Sequence, residues 1–167
     1  GDCRVAAECH AVAIAGLPDV AAMENHVAVA LAAEVGYEVG LLLDAAFPSL
    51  GWWPLAFLSI AGGLWTLMGR SIGGAFLVGL AYGAAFYFTH LMWVVQFLGP
   101  IPWAALAGVE SLLFALGAIP IALAYRWGAL LERRATRRFL LPVLIAVLWA
   151  ARELLLGTWP YSGFPWG

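Results

Sequence analysis

Apolar residues fall along this chain in long blocks, and the polar positions cluster in the gaps between them. From residue 27 onward the blocks approach the run of about 20 residues that carries an α-helix across ~30 Å of hydrocarbon. Five membrane helices are therefore expected, at about 27–47, 53–68, 72–97, 103–125 and 139–156. Helix-ending residues fill the gaps: Pro48 and Gly51 after the first, Gly69 and Arg70 after the second, Gly99 and Pro100 after the third. The first helix is the weakest of the set, because Glu34, Glu38 and Asp44 each cost several kcal/mol at full depth in lipid. Glu34 and Glu38 are four residues apart and share a face, which is expected to turn toward other helices or water. In the third helix, long enough to tilt, Gly79-x-x-x-Gly83 invites close approach of a neighbouring backbone. Pro120 is expected to kink the fourth.

Residues 1–26 break this pattern. They are Ala-rich, carry scattered charges and contain Pro18, and they lack the basic region and cleavage site of a secretory signal. They are expected to form a poorly ordered extension, or to lie upstream of the true start, with Met23 as a candidate first residue.

Composition sharpens the class. The 167 residues are 64% hydrophobic and only 11% charged, which is too little polar surface to coat a soluble domain of this size. The expected fold class is all-α, a polytopic membrane helix bundle. With a net charge of −2 and no lysine, nothing suggests nucleic acid as a partner, and none is expected. Cys3 and Cys9 have a spacing that fits no common zinc or redox pattern, even with His10 beside them, and no metal site is expected. Arginine placement sets the orientation: Arg70 lies in the second gap, and Arg126, Arg133, Arg134, Arg137 and Arg138 lie in the fourth. The positive-inside rule puts both gaps, and the N-terminus, in the cytoplasm. The turns rich in Trp and Pro then face outward. The arginine cluster reads first as a topology determinant and second as a binder of anionic headgroups. Neither a solenoid period nor a transporter-like inverted repeat is present.

Few residues could carry chemistry. Arg152 and Glu153 are helix neighbours about 100° apart, close to the outer end of the fifth helix. Arg152 is expected to snorkel to the headgroups, leaving Glu153 to face the bundle or to cap loop amides. His90 and Glu110 each lie about two turns from the outer face. As intramembrane ionisable groups they are functional candidates, expected either to pair across helices three and four or to line an outward-opening cavity. The last residues, Gly163-Phe164-Pro165-Trp166-Gly167, combine a tight turn with flat aromatic faces suited to the membrane surface. An ordinary interfacial anchor would look the same. No phosphate loop, serine–histidine–aspartate set or nucleophilic cysteine beside a base is found.

Two stretches resemble a known family. Phe47-Pro48-Ser49-Leu50-Gly51-Trp52-Trp53-Pro54-Leu55-Ala56 and the run WAARELLLGTWPYSGFPWG from Trp149 to Gly167 resemble parts of apolipoprotein N-acyltransferase of the actinobacterial kind. These parts are the turn between its first two membrane helices and its fifth helix with the following loop. The resemblance extends over about 36–167. It implies the membrane region of an enzyme of the bacterial plasma membrane, with the GFPWG end outside. Such an enzyme moves an acyl chain from a membrane phospholipid, the donor, to the N-terminal diacylglyceryl-cysteine of a lipoprotein, the acceptor, and no cofactor is expected.

Glu153 matches the glutamate of the family's W-x-x-x-E-x-x-R-G pattern, with Trp149 and Gly157 also in place and Leu156 where the pattern has arginine. The resemblance implies a substrate or lipid mouth formed by Glu153, Gly163, Phe164, Pro165 and Trp166. His90 and Trp93 join them, because they stand where many members carry a polar residue before a tryptophan. The family's catalytic glutamate, lysine and cysteine belong to a nitrilase-like domain after the seventh membrane helix. These 167 residues contain no lysine, and Cys3 and Cys9 fall on the wrong side of the membrane. No catalytic residue is therefore expected here, and the chain reads as a fragment that is inactive alone. The alternative is a non-enzymatic membrane scaffold or lipid-binding module. A small transporter is disfavoured by the missing repeat.

Overall fold

The computed structural model describes residues 20–47, 50–130 and 134–158, with side chains described from residue 22 and, in the last segment, from residue 138. Among the described residues every regular element is helical: α1 (Val20–Ala46), α2 (Pro54–Thr66), α3 (Ile72–His90), a 3₁₀ turn (Leu91–Trp93), α4 (Val94–Leu98), α5 (Pro100–Ala129) and α6 (Arg134–Thr158). Among the described residues four stretches are long and apolar enough to cross a membrane, Ala22–Ala46, Ile72–Leu98, Pro100–Ala129 and Arg138–Thr158. The 13-residue α2 is apolar but rises only about 20 Å, less than the expected 53–68 would have reached.

The remaining boundaries shift for local reasons. The expected third span, 72–97, is not one continuous α-helix, because it tightens into 3₁₀ geometry at Leu91–Trp93. Residues three apart eclipse in that geometry, and Leu91 and Val94 are thereby buried together against Ala107. Gly99, with φ of 86°, then reverses the chain into α5, whose first turn accepts Pro100 and Pro102 because their missing N–H groups would be unpaired there anyway. At the other end, Arg134, Arg137 and Arg138 belong to the start of α6, so most of the expected arginine loop is helix. Pro142, like Pro120, lies inside a helix.

α3 sits at the centre, packed between α1 and α5; α2 packs on α1, and α6 packs on α5. Small residues bring the backbones together. A Cβ on Gly79 would lie 2.7 Å from Ala118 Cβ and 3.0 Å from Ala115 Cα, and one on Gly83 would lie 3.1 Å from Ser111 Cα. The Gly-x-x-x-Gly seam therefore meets α5, as its spacing predicts. On the opposite face, a Cβ on Gly40 would come within 2.5 Å of the Tyr82 carbonyl.

Hydrogen bonds complete the packing in a low-dielectric setting where polar groups need partners. Ser59 Oγ donates to the Val39 carbonyl at 2.5 Å and accepts from the Tyr82 hydroxyl at 2.5 Å, linking α1, α2 and α3. Arg70 donates to the Thr66 and Ala28 carbonyls, each at 3.1 Å, which ties the α2–α3 turn to α1. Glu34 and Glu38 are exposed and do not turn into the bundle.

Candidate functional site

The bundle is not filled at the end where α1, α3 and α6 finish and α2 and α5 begin. A cavity of about 480 Å³ opens there, with Leu43 and Phe47 of α1 and its turn on one side and Trp149, Arg152 and Glu153 of α6 on the other. Phe86, Tyr87 and His90 of α3 and Glu110 and Phe114 of α5 form its floor. Mostly apolar walls with a few convergent polar groups are the usual make-up of a ligand site. This end lies opposite Arg70, Arg126 and Arg138.

His90 and Glu110 both line the cavity, but they do not pair with each other. The His90 Nδ1–H donates to Asp44 Oδ1 at 3.0 Å, because an ionised carboxylate can only accept. The imidazole is stacked on Phe86, with centroids 4.9 Å apart and planes at 15°, and lies against Phe47 at 4.6 Å. This pair also accounts for Asp44, a costly residue in an apolar helix. Its partner was not legible from the spacing, since the two residues are 46 positions apart. Glu110 is 7% exposed and has no ion-pair partner among the described residues.

Arg152 and Glu153 are arranged the opposite way from the expectation. Arg152 does not snorkel: it is 6% exposed, whereas the Glu153 side chain is 54% exposed. The reason lies on the facing helix. A Cβ on Gly117 would stand 2.5 Å from Arg152 Cδ, so the missing side chain there is the passage for the arginine stem. Beyond it the guanidinium enters the corner made by two rings at 87° to each other, 3.9 Å from the Phe114 centroid and 4.0 Å from that of Trp149. Cation–π attraction of this kind strengthens when desolvated, to about 2 kcal/mol. Arg152 Nη2 donates to Glu153 Oε1, so the neighbours do interact although their helix faces differ. Arg152 Nε and Nη1 are buried and have no hydrogen-bond partner among the described residues.

The other predicted site residues are only partly brought together. Trp93 is not among the residues lining the cavity; it lies at the 3₁₀ turn, edge-on to Phe97 at 6.0 Å. Gly163, Phe164, Pro165 and Trp166 lie outside the described residues, as do Cys3, Cys9, Pro48 and Arg133. Trp52 and Trp53, in the turn between α1 and α2, are 66% and 67% exposed. No group of three or more metal-ligating side chains occurs among the described residues. Sequence reasoning missed Phe114, Tyr87 and Gly117, which carry no signal of their own in an apolar helix.

Comparison with known proteins follows the same outline. The sequence profile of the apolipoprotein N-acyltransferase N-terminal domain matches residues 39–167. The chain is 41% identical over 87 residues to an apolipoprotein N-acyltransferase of Mycolicibacterium smegmatis, covering 49% of this chain and 15% of that one. It is 34% identical over 131 residues to that of Geobacter metallireducens, covering 76% of this chain and 24% of the relative. With that of Photobacterium profundum it shares 29% identity over 133 residues, 76% of this chain and 25% of the relative. The chain thus spans a quarter or less of the length of these relatives. No solved structure matches it.

Proposed function

Since the chain belongs to the apolipoprotein N-acyltransferase family, through its N-terminal domain, we propose that it is the membrane part of an enzyme that acylates lipoproteins. In this reading the acyl chain comes from a membrane phospholipid and goes to the α-amino group of a diacylglyceryl-cysteine. The residues described here anchor the enzyme and shape the mouth through which lipid reaches the chemistry. They perform no proton transfer on the substrate. One observation carries the proposal: a mostly apolar cavity with a few polar groups opens at the end of the bundle opposite the arginines, and Glu153, the glutamate of the family-like pattern, stands on its wall. On the positive-inside rule that end faces away from the cytoplasm, where lipoproteins are matured. The resemblance implies the same role for the GFPWG residues that follow in the sequence.

Scanning substitutions in a complete enzyme that carries this domain test the proposal. Glu153→Gln, His90→Ala, Phe164→Ala and Trp166→Ala are each expected to lower acyl transfer to a diacylglyceryl-peptide by tenfold or more, on the order of the loss from misplacing a substrate slightly. Protein level in the membrane stays unchanged. Full activity in all four variants would leave these residues as anchors and sink the mouth reading. The 167 residues on their own are expected to give no turnover, because without lysine they cannot assemble a glutamate–lysine–cysteine set.

A further inference from the structure

α2 is too short for the bilayer that the other helices fit. Its exposed residues Phe57, Leu58, Ala61, Trp65 and Met68 form one apolar stripe, while Ser59, Gly63 and Thr66 face the bundle. Its 13 residues rise about 20 Å, against ~30 Å of hydrocarbon, and any tilt lowers that figure. On α5 the exposed apolar residues reach from Ile101 to Trp127, about 39 Å along the axis, so that helix has length to spare. α2 is also tied in depth. The Trp52 N–H donates to the Ala45 carbonyl at one end, and Arg70 donates to the Ala28 carbonyl at the other.

A short span is accommodated by snorkelling of flanking side chains, by association with more protein, or by thinning of the bilayer. Snorkelling is closed to α2. Arg70 is engaged by the Thr66 and Ala28 carbonyls, and no basic residue lies between Phe47 and Trp53. The tryptophans favour lipid over protein as the cover. Trp52 and Trp53 are exposed at one end and Trp65 at the other, and indole rings gather at the two edges of a hydrocarbon layer. Yet Trp53 and Trp65 are twelve residues, or about 18 Å, apart. The helix alongside supplies an independent observation. Glu34 and Glu38 are exposed on α1, each within about 10 Å of one of the tethered positions Ala28 and Ala45. Carboxyl groups on an exposed face at this depth are tolerated where the bilayer thins and water comes closer.

We propose that the α1–α2 side of the bundle holds the bilayer locally thin, at about 20 Å of hydrocarbon, with Trp53 and Trp65 on its two edges. Ala56 and Ile60 of α2 line the same cavity as His90 and Glu110, so the lowered boundary also brings water toward those ionisable groups. This goes beyond the acyl-transfer reading and does not rest on it.

The test labels the full chain with 5-fluorotryptophan in dioleoylphosphatidylcholine nanodiscs and reads ring depth by fluorine NMR. Trp53→Phe and Trp65→Phe, both at exposed positions, assign the two resonances. Broadening by a water-soluble gadolinium chelate, and by phosphatidylcholine spin-labelled near the head of its acyl chain, gives each depth. In a flat ~30 Å slab the signed depths of the two rings below their nearer edges sum to about 12 Å, wherever α2 sits along the normal. The expected sum is close to zero, and one above about 6 Å, half the flat-slab value, overturns the proposal. In thicker bilayers of dierucoylphosphatidylcholine the sum is expected to stay unchanged; a rise by the full difference in thickness refutes a boundary that follows the protein. Rings that the spin-labelled lipid fails to broaden would mean that protein covers α2, which also overturns it.

Discussion

The relay Tyr82 O–H to Ser59 O–H to the Val39 carbonyl has a direction, and the direction makes a quantitative prediction. A serine hydroxyl has one proton; if Ser59 spends it on Val39, Tyr82 must be the donor to Ser59. Ser59→Ala removes both bonds and strands the Tyr82 hydroxyl, in a residue only 2% exposed. Leaving a buried donor unmatched costs about 1–3 kcal/mol, and interhelical hydrogen bonds in membranes average about 0.6 kcal/mol. Ser59→Ala is therefore expected to cost about 1–2 kcal/mol. Tyr82→Phe removes the donor, leaves the Ser59–Val39 bond intact, and should cost about 0.5–1 kcal/mol. The double variant strands nothing, so it is expected to be no less stable than Ser59→Ala alone. Reversible unfolding by dodecyl sulfate in mixed micelles, followed by far-UV circular dichroism, measures all three. Costs that simply add in the double variant would refute the relay. The relay also bears on the cavity: Tyr82 is stacked on Phe114 with centroids 4.8 Å apart, and Phe114 forms one wall of the Arg152 corner.

Other consequences are checked by the same unfolding assay or by simple spectroscopy. Gly79→Leu and Gly83→Leu drive side chains into the α5 backbone and are expected to cost more than about 3 kcal/mol or to prevent folding, as overpacking in a tight core does. Gly108→Ala, where a Cβ meets nothing within 4 Å, is expected to stabilise α5 by about 0.5–1 kcal/mol; destabilisation would refute an open helix face at this position. Gly117→Ala puts a methyl 2.5 Å from Arg152 Cδ and should displace the guanidinium from its rings, lowering stability by about 1–2 kcal/mol; no change would show that the arginine adapts. Asp44→Ala removes the acceptor of His90 and is expected to cost about 0.5–1.5 kcal/mol, with a changed nitrogen chemical shift at His90 Nδ1 in NMR spectra.

The residues themselves settled a good deal. A segment of about 20 continuously apolar residues can pair its own backbone groups in hydrocarbon as a helix, whereas barrel strands are shorter and alternate, so the all-α class followed from composition and block length. Gly99 before Pro100, and the spacing of Gly79 and Gly83, marked a turn and a close seam, because both rest on local backbone chemistry. The motifs at 47–56 and 149–167 pointed to the family whose profile matches 39–167.

Tertiary structure decided what spacing does not encode. Which carboxylate His90 meets depends on how α1 lies against α3: Asp44 is its partner, and of the two arrangements open to His90 and Glu110 the structure shows the shared cavity lining, not the pair. The depth of Arg152 was misjudged because snorkelling is the default for an arginine near a helix end. Here a facing glycine and two rings from different helices, none of them adjacent in sequence, made the interior the better environment for its cation. Helix periodicity tells which residues share a face, but only the packed neighbours determine whether that face meets lipid, water or an aromatic corner.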